Sequence, residues 1–465
     1  MDEPLVFAPV HTLLASRDSS DWAFCWGKSE KSDPDFFKFY PQYIAALVKK
    51  IKASGAKRIF IIHQDRAFFL AGFLAALYAG IPVILPPSGA MGTLQDLVEP
   101  EDGLLTDQEI LFQITPLVIS VTAIESEAAD PIKFDHLDPS KACVIFYTSG
   151  STGTPKAVEK TLTQLEEEIL VLEEMWGVKG RQSTFFSTVS HHHIYGLLFS
   201  LLWPVCGGYS LRRQTFSAWE DLLGQCVEGA YVISSPSYLG RFPSFMEKRG
   251  GREIRYVFSS GGPLSFAAAQ TTQEFLGKCP IEVYGSTETG GIGYRQQQGR
   301  METWTKFKNV ELTIGEEKRL CVKSPYLPYG MVYQTEDLAF LENDQQFRLL
   351  GRADRIIKVE GKRICLFELE ERLRKLESIE DTAVLPLESL NRDELGAILV
   401  LSDQGKARLL AIGKATFVRE IRKSLSLYFE HVVLPRKWRF VSELPQNGQG
   451  KRPYDLMRRY FGGIG

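Results

Sequence analysis

Short β-rich runs alternate with helical stretches along the first three-quarters of this chain. RIFIIH begins at Arg58, a helix covers residues 68–79, and PVILP follows. Later come ACVIFYTS, a helix over residues 163–176, then YVISS, RYVFSS and IEVYGS. Strands separated by helices need crossover connections, which implies largely parallel sheets with helices on their faces. Several of these strands run directly into Ser/Gly-rich loops, the position at which open α/β sheets bind ligands.

A chain of 465 residues exceeds the usual size of a single core and divides into a large and a small unit. From about residue 336 the texture changes to charged turns and alternating strands, followed by a helix over 366–376 and a compact α+β unit ending near residue 459. The boundary falls at 351–354, giving an N-terminal domain of residues 1–352 and a C-terminal domain of residues 353–465. The fold class is therefore α/β, with a large domain of parallel-rich sheets flanked by helices and a small α+β domain. No internal repeat or low-complexity segment interrupts it.

A formal net charge of -3, with 24% charged residues, gives no concentrated basic face of the kind nucleic acid requires. The seven cysteines are scattered and form no Cys-x-x-Cys pair, which suits reduced thiols in a cytoplasm. The acidic start, MDEPLVFAPV, lacks a secretory pattern. Residues 67–87 are apolar enough to suggest a membrane span, but Gly80 and Pro82 break them, so they read as a buried helix and a short buried strand.

The most informative segment is YTSGSTGTPKAVEKT, which follows the strand CVIF. Thr148, Ser149, Gly150, Ser151, Thr152 and Gly153 supply backbone N–H groups and small hydroxyls that suit phosphate oxygens, and Lys156 supplies a cation. A solvated Ser/Gly linker would share the composition but needs neither a preceding strand nor a closing Pro-Lys. Ala157, not Ser or Thr, follows the lysine, so this is not the common P-loop. The segment resembles the signature loop of the acyl-adenylate-forming (AMP-binding) superfamily, which includes acyl- and aryl-CoA synthetases, luciferases and peptide-synthetase adenylation domains.

Six further segments resemble that superfamily in the right order. In HHHIYGLLFSLLWP the resemblance places the acyl pocket at His192, His193 and Tyr195, with Ser237 and Tyr238 of SSPSYLGRF as further lining. The adjacent histidines also raise a metal site, but neighbouring side chains diverge along a backbone and spaced ligands would be expected instead. YVFSSGGPLS resembles the strand and turn along the adenine, where Gly261 and Gly262 allow close approach to a flat ring. By the match of IEVYGSTETGG, Tyr284 stacks on adenine beside Gly285, Thr287 contacts the α-phosphate, and Glu288 holds Mg2+. Glu282 stands where the family often has Asn, and takes no adenine role. YQTEDLA aligns Asp337 with the ribose hydroxyls, with Glu336 in place of a glycine. GRADRIIKVEGKRI resembles the hinge, implying Arg352 near ribose, Asp354 as the pivot of a mobile C-terminal domain, and a loop at 358–362 near the pantetheine channel. LPQNGQGKRPYDLM resembles the segment carrying the catalytic lysine, here Lys451, with Tyr454 near the place of a family arginine.

The resemblance implies an ATP-dependent carboxylic acid ligase. An aryl or fatty acid would become an acyl-AMP with release of pyrophosphate, and the acyl group would pass to the thiol of CoA or of the 4'-phosphopantetheine on an acyl carrier protein. Lys451, Thr287, Glu288 and Lys156 would be the catalytic set. An inactive AMP-binding relative should have lost Lys451 or Glu288, and both are present. An amino-acid-activating enzyme should carry an acidic residue early in the pocket segment, and residues 191–195 contain none.

Overall fold

The structure, a computed structural model, describes residues 6–26, 37, 39–111, 113–115, 117–120, 133–149, 155–178, 183–243, 254–297, 303–359, 362–387, 394–445 and 454–462. Two sheets carry the large region. The first holds β1 (Arg58–Ile62), β2 (Val83–Leu85), β3 (Asp102–Thr106), β4 (Val118–Ser120), β5 (Cys143–Ser149) and β6 (Pro155–Thr161), in the order β4-β3-β1-β2-β5-β6. Its pairs are parallel except β5 with β6, an antiparallel hairpin.

The second sheet has eleven strands. β7 (Thr184–Ser187), β8 (Ser210–Leu211), β9 (Tyr231–Ser234), β10 (Tyr256–Ser259) and β11 (Ile281–Ser286) are parallel neighbours in the order β11-β10-β9-β7-β8. Beyond β11 the expectation of largely parallel sheets fails. β12 (Gly290–Gln296), β13 (Thr303–Lys306), β14 (Glu311–Ile314), β15 (Arg319–Lys323), β16 (Tyr333–Leu341) and β17 (Gln346–Arg352) extend the same sheet with antiparallel pairs. Here the strands follow one another closely and, among the described residues, no helix long enough for a crossover separates them, so they pair as hairpins and meanders.

Alternation along the strands separates two cores. Phe185, Tyr231, Ile233 and Phe258 face the main core, while Phe186, Val232 and Val257 face a smaller one with Trp219 and Leu239. The apolar run at 67–87 forms the helix Arg66–Tyr78, buried on nearly every side, then Gly80 at φ +74° and β2. Asp65 caps that helix by accepting from the N–H groups of Ala67 and Phe68. Among the described residues no helix is long and apolar enough to cross a membrane.

After Arg352 come the hairpin β18 (Ile356–Val359) and β19 (Lys362–Cys365), the helix Leu366–Arg374, and a sheet of β20 (Ile379–Leu387), β21 (Glu394–Leu401) and β22 (Lys437–Val441) backed by the helix Asp403–Leu425. Val359, Leu369, Leu399, Phe417 and Trp438 share a core of their own. Arg355 binds the buried Glu370 carboxylate at 2.9 and 2.6 Å, tying the start of this unit to its first helix.

Candidate active site

Tyr284 lies on β11, where the parallel half of the large sheet meets the antiparallel half. Its hydroxyl donates to Oδ2 of Asp337 at 2.7 Å. Asp337 on β16 pairs across the ladder with Arg352 on β17, whose Nη1 lies 3.5 Å from Oδ1. Burial, and then the Asp337 carboxylate, holds the Tyr284 phenol well above its ordinary range. The tyrosine ring is packed by Trp304 and Phe347, at 5.5 and 6.0 Å. Asp337 and Arg352 remain 21% and 45% exposed, so this cluster sits at an opening and not in the core. Three residues from separate sequence motifs are thus brought together.

Two of the departures from the family pattern, Glu336 and Glu282, have separate explanations. Glu336 turns to Arg319, which binds its carboxylate. Glu282 is buried and held by Arg295 at 2.8 and 3.1 Å, by Gln297 at 2.7 Å and by the Leu264 N–H at 3.3 Å. It is fully engaged inside the protein.

Gly261 adopts φ +89°, and a Cβ placed on it or on Gly262 would meet nothing among the described residues within 4 Å. The turn therefore faces open space, as approach of a flat ring requires. Gly285 has a different reason to be glycine: a Cβ there would stand 2.3 Å from the Gly290 carbonyl, across the irregular β11–β12 pairing. Between these strands Ser286 and Thr289 close the turn, with the Ser286 N–H donating to Thr289 Oγ1 at 3.1 Å and the Thr289 N–H to Ser286 Oγ at 3.2 Å. Thr287 and Glu288 are left half-buried at its tip. The Tyr333 phenol is raised by burial and by the Glu288, Glu336 and Asp337 carboxylates, against Arg352, so the turn tip and the Asp337 cluster act on one common neighbour.

The segment read from the sequence as a phosphate loop lies between β5 and β6, which pair antiparallel. Thr148 stands opposite Lys156, Thr148 Oγ1 donates to the Lys156 carbonyl at 3.4 Å, and Lys156 is exposed. Ser149 ends β5, while Gly150, Ser151, Thr152 and Gly153 lie outside the described residues, as does Lys451. Asp354 falls in the single turn Ala353–Arg355 between β17 and β18. Farther along β6, Lys160 is buried, and its Nζ donates to the carbonyls of Glu288 and Tyr326, each at 2.6 Å. Burial pulls its ammonium down to about 8, against the Glu168 and Glu288 carboxylates. Burial pushes Glu168 up to about 7, against the Gly291 N–H and Lys160.

The histidine segment is tied to the backbone around His63. His191 Nε2 lies 2.9 Å from the His63 carbonyl, His192 Nε2 accepts the His63 N–H at 3.3 Å, and Ser190 Oγ lies 3.0 Å from His192 Nδ1. Burial, reinforced by His193 and His63, pulls His192 down to about 3, and burial holds His191 well below its ordinary value. A cavity of about 270 Å³ opens here, where Gln64, Ser88 and Gln108 from the carboxyl ends of β1, β2 and β3 meet Ser190, His192 and His193. Tyr195 packs on Phe199 at 4.9 Å on the main-core side. Ser237 Oγ bonds Ser235 Oγ at 3.0 Å. Tyr238 lies apart from the histidines: its ring packs 4.7 Å from Trp219 in the smaller core, because alternation along β7, β9 and β10 puts that core on the opposite face.

The AMP-binding enzyme family matches residues 41–323, more than half of the chain. The chain belongs to the AMP-binding enzyme family. A 4-coumarate–CoA ligase of Cereibacter sphaeroides is 25% identical over 313 residues, covering 67% of this chain and 70% of the relative. A D-alanine–D-alanyl carrier protein ligase of Staphylococcus aureus is 24% identical over 449 residues, covering 86% and 89%. Among solved structures, ATP-bound MatB from Rhodopseudomonas palustris superposes with a TM-score of 0.75 at 16% identity, covering 96% of this chain and 99% of the other. The fold is that of the adenylate-forming synthetases.

For an AMP-binding enzyme the donor set suits magnesium. Among the described residues no group of three His, Cys, Asp or Glu side chains converges, and Glu288 offers one carboxylate at the turn tip. Magnesium commonly takes only one or two protein carboxylates and fills its shell with water and substrate phosphates. The His191 and His192 rings instead bond to the backbone carbonyl and N–H of His63. Sequence reasoning missed Lys160, Glu168 and Tyr333. Glu168 did carry a signal: it stands three residues after Leu165 and four before Leu172, on the apolar stripe of the helix Leu162–Trp176.

Proposed function

We propose that this chain is an ATP-dependent acid–thiol ligase, which joins a carboxylic acid to AMP and then hands the acyl group to a pantetheine thiol. The observation that carries the reading is the convergence of Tyr284, Asp337 and Arg352 beside an open glycine turn and the Thr287–Glu288 tip. Both curated relatives described above are named as ligases, one for CoA and one for a carrier protein.

In this reading adenine lies along Gly261 and Gly262 against Tyr284, and the ribose hydroxyls donate to Asp337, whose carboxylate has lone pairs beyond those used by Tyr284 and Arg352. The acid's carboxylate oxygen attacks the α-phosphorus, and the bond to pyrophosphate breaks in line. No side-chain nucleophile is required, so orientation and charge stabilisation are what the protein contributes. Magnesium at Glu288 would neutralise charge on the phosphate oxygens. Thr287 meets the α-phosphate, Lys156 restrains the departing pyrophosphate, and Lys451 reaches the cleft when the C-terminal domain, residues 353–465, turns about Asp354. In the second step the thiol attacks the acyl carbon and AMP leaves.

The cavity at His192 takes the acid. Its described lining includes no Asp, Glu, Lys or Arg, and residues 191–195 contain no carboxylate for an ammonium, which favours an aryl or fatty acid over an amino acid. Free CoA and a carrier protein present the same thiol. Pyrophosphate release is to be measured across a panel of aryl, alkyl and amino acids, followed by thioester formation with CoA or a phosphopantetheinylated carrier protein. Release with an aryl or alkyl acid supports the reading. Release confined to amino acids, or none with any acid, refutes it.

A further inference from the structure

Two buried charged side chains near the proposed phosphate site have no part in the chemistry above. Lys160 lies on β6, four residues beyond Lys156, so the two occupy one face of the strand. Its Nζ donates to the main-chain carbonyl of Glu288 at 2.6 Å and to that of Tyr326 at 2.6 Å. Glu168, on the next helix, accepts the N–H of Gly291 at 2.9 Å through Oε1. Its Oε2 covers Gly290 so closely that a Cβ there would stand 2.6 Å away, and Gly290 itself is at φ +69°. One charged group therefore holds the carbonyl at the tip of the Ser286–Thr289 turn, and the other holds the amide just beyond it.

Burying two charges costs several kcal/mol each before hydrogen bonding offsets it, and an apolar pair of similar volume would fill the space with less desolvation. The charged pair gives something that packing alone does not: fixed points on the backbone of one turn. Both groups belong to the strand–helix unit that continues directly from the phosphate hairpin. We propose that Lys160 and Glu168 are positioning residues for adenylation, clasping the Thr287–Glu288 turn to the phosphate-loop hairpin so that both meet one triphosphate in register. This inference rests on the nucleotide roles assigned above. A misplacement near 1 Å can cost about a hundredfold in rate.

The test uses acid-dependent ATP–pyrophosphate exchange by the full chain, with magnesium titrated. Lys160→Met is expected to lower the exchange rate by about a hundredfold and to raise the magnesium concentration giving half-maximal rate, while acyl transfer from supplied acyl-AMP is spared. Lys160→Arg keeps the charge and the donors and is expected to fall between wild type and Lys160→Met. The double variant Lys160→Met/Glu168→Gln removes both buried charges and is expected to melt near the wild-type temperature, yet to remain slow and magnesium-demanding. A double variant with wild-type exchange and magnesium response would overturn the proposal, as would Lys160→Met that melts early but exchanges normally. Absence of exchange in the wild type would sink the adenylation reading itself, and this inference with it.

Discussion

The proposed nucleotide side and the proposed acid side are built from opposite materials. Around the nucleotide position, charged and strongly dipolar groups are set by strands: Asp337 and Arg352 face each other across a ladder, and Tyr284 is clamped to the carboxylate. Around the acid position, polar groups are abundant but neutral, with histidine rings that burial keeps unprotonated. The difference follows from what each side must do. A triphosphate is the same in every turnover and rewards fixed charge, whereas an acid pocket must bring a carboxylate in while selecting the remainder of the molecule by shape and hydrogen bonding.

The largest expected effect separates the two half-reactions. Lys451→Ala should cut adenylation by about 2.7 to 4 kcal/mol in single-turnover assays with ATP, the scale of one lost transition-state donor. Thioester formation from supplied acyl-AMP should be preserved, and equal loss in both steps would contradict the role. Asp337→Asn should weaken ATP binding by about 1.5 to 3 kcal/mol, the range for a hydrogen bond to a charged group, with the KM for the acid unchanged. If the acid KM moved instead, the division between the two sides would be wrong.

His192→Phe tests the other half. Substituting one pocket group should change the ratio of kcat/KM between competing acids by about 1 to 3 kcal/mol, while the KM for ATP stays put. A further effect is on stability. His192 in the folded chain titrates near 3, below the ordinary histidine value of 6.5. The unfolded chain therefore binds more protons, and stability is complete above about pH 6.5 and declines as pH falls toward 3, by about 1 kcal/mol per unit from this group. Melting temperatures between pH 4 and 7 should show that slope, and His192→Gln should reduce it, leaving the share that His191 contributes.

Much of the nucleotide side was legible because its residues sit in contiguous motifs whose spacing survives in the primary structure, as with Tyr284 through Glu288. The α/β character was legible too, since strand and helix periods alternate clearly up to β11. The antiparallel extension from β12 to β17 was not, because the short strands between residues 290 and 323 were not read from the sequence, and it is their close succession that requires antiparallel pairing. Tyr238 was read with Ser237 as lining of the acid pocket, but its ring packs against Trp219 in the smaller core on the other face of the sheet. Lys160 escaped notice because its partners, the carbonyls of Glu288 and Tyr326, lie 128 and 166 residues away and carry no side-chain signature.

The most direct test follows the acid's own oxygen. With a substrate acid labelled with oxygen-18 in its carboxylate, attack on the α-phosphorus followed by thiol transfer leaves one labelled oxygen in the phosphate of AMP. Mass spectrometry of the products should find the label there, with pyrophosphate unlabelled. Label appearing in inorganic phosphate, with ADP as the nucleotide product, would mean that the acid attacks the terminal phosphorus, and the assignment of this cleft to adenylation would be wrong.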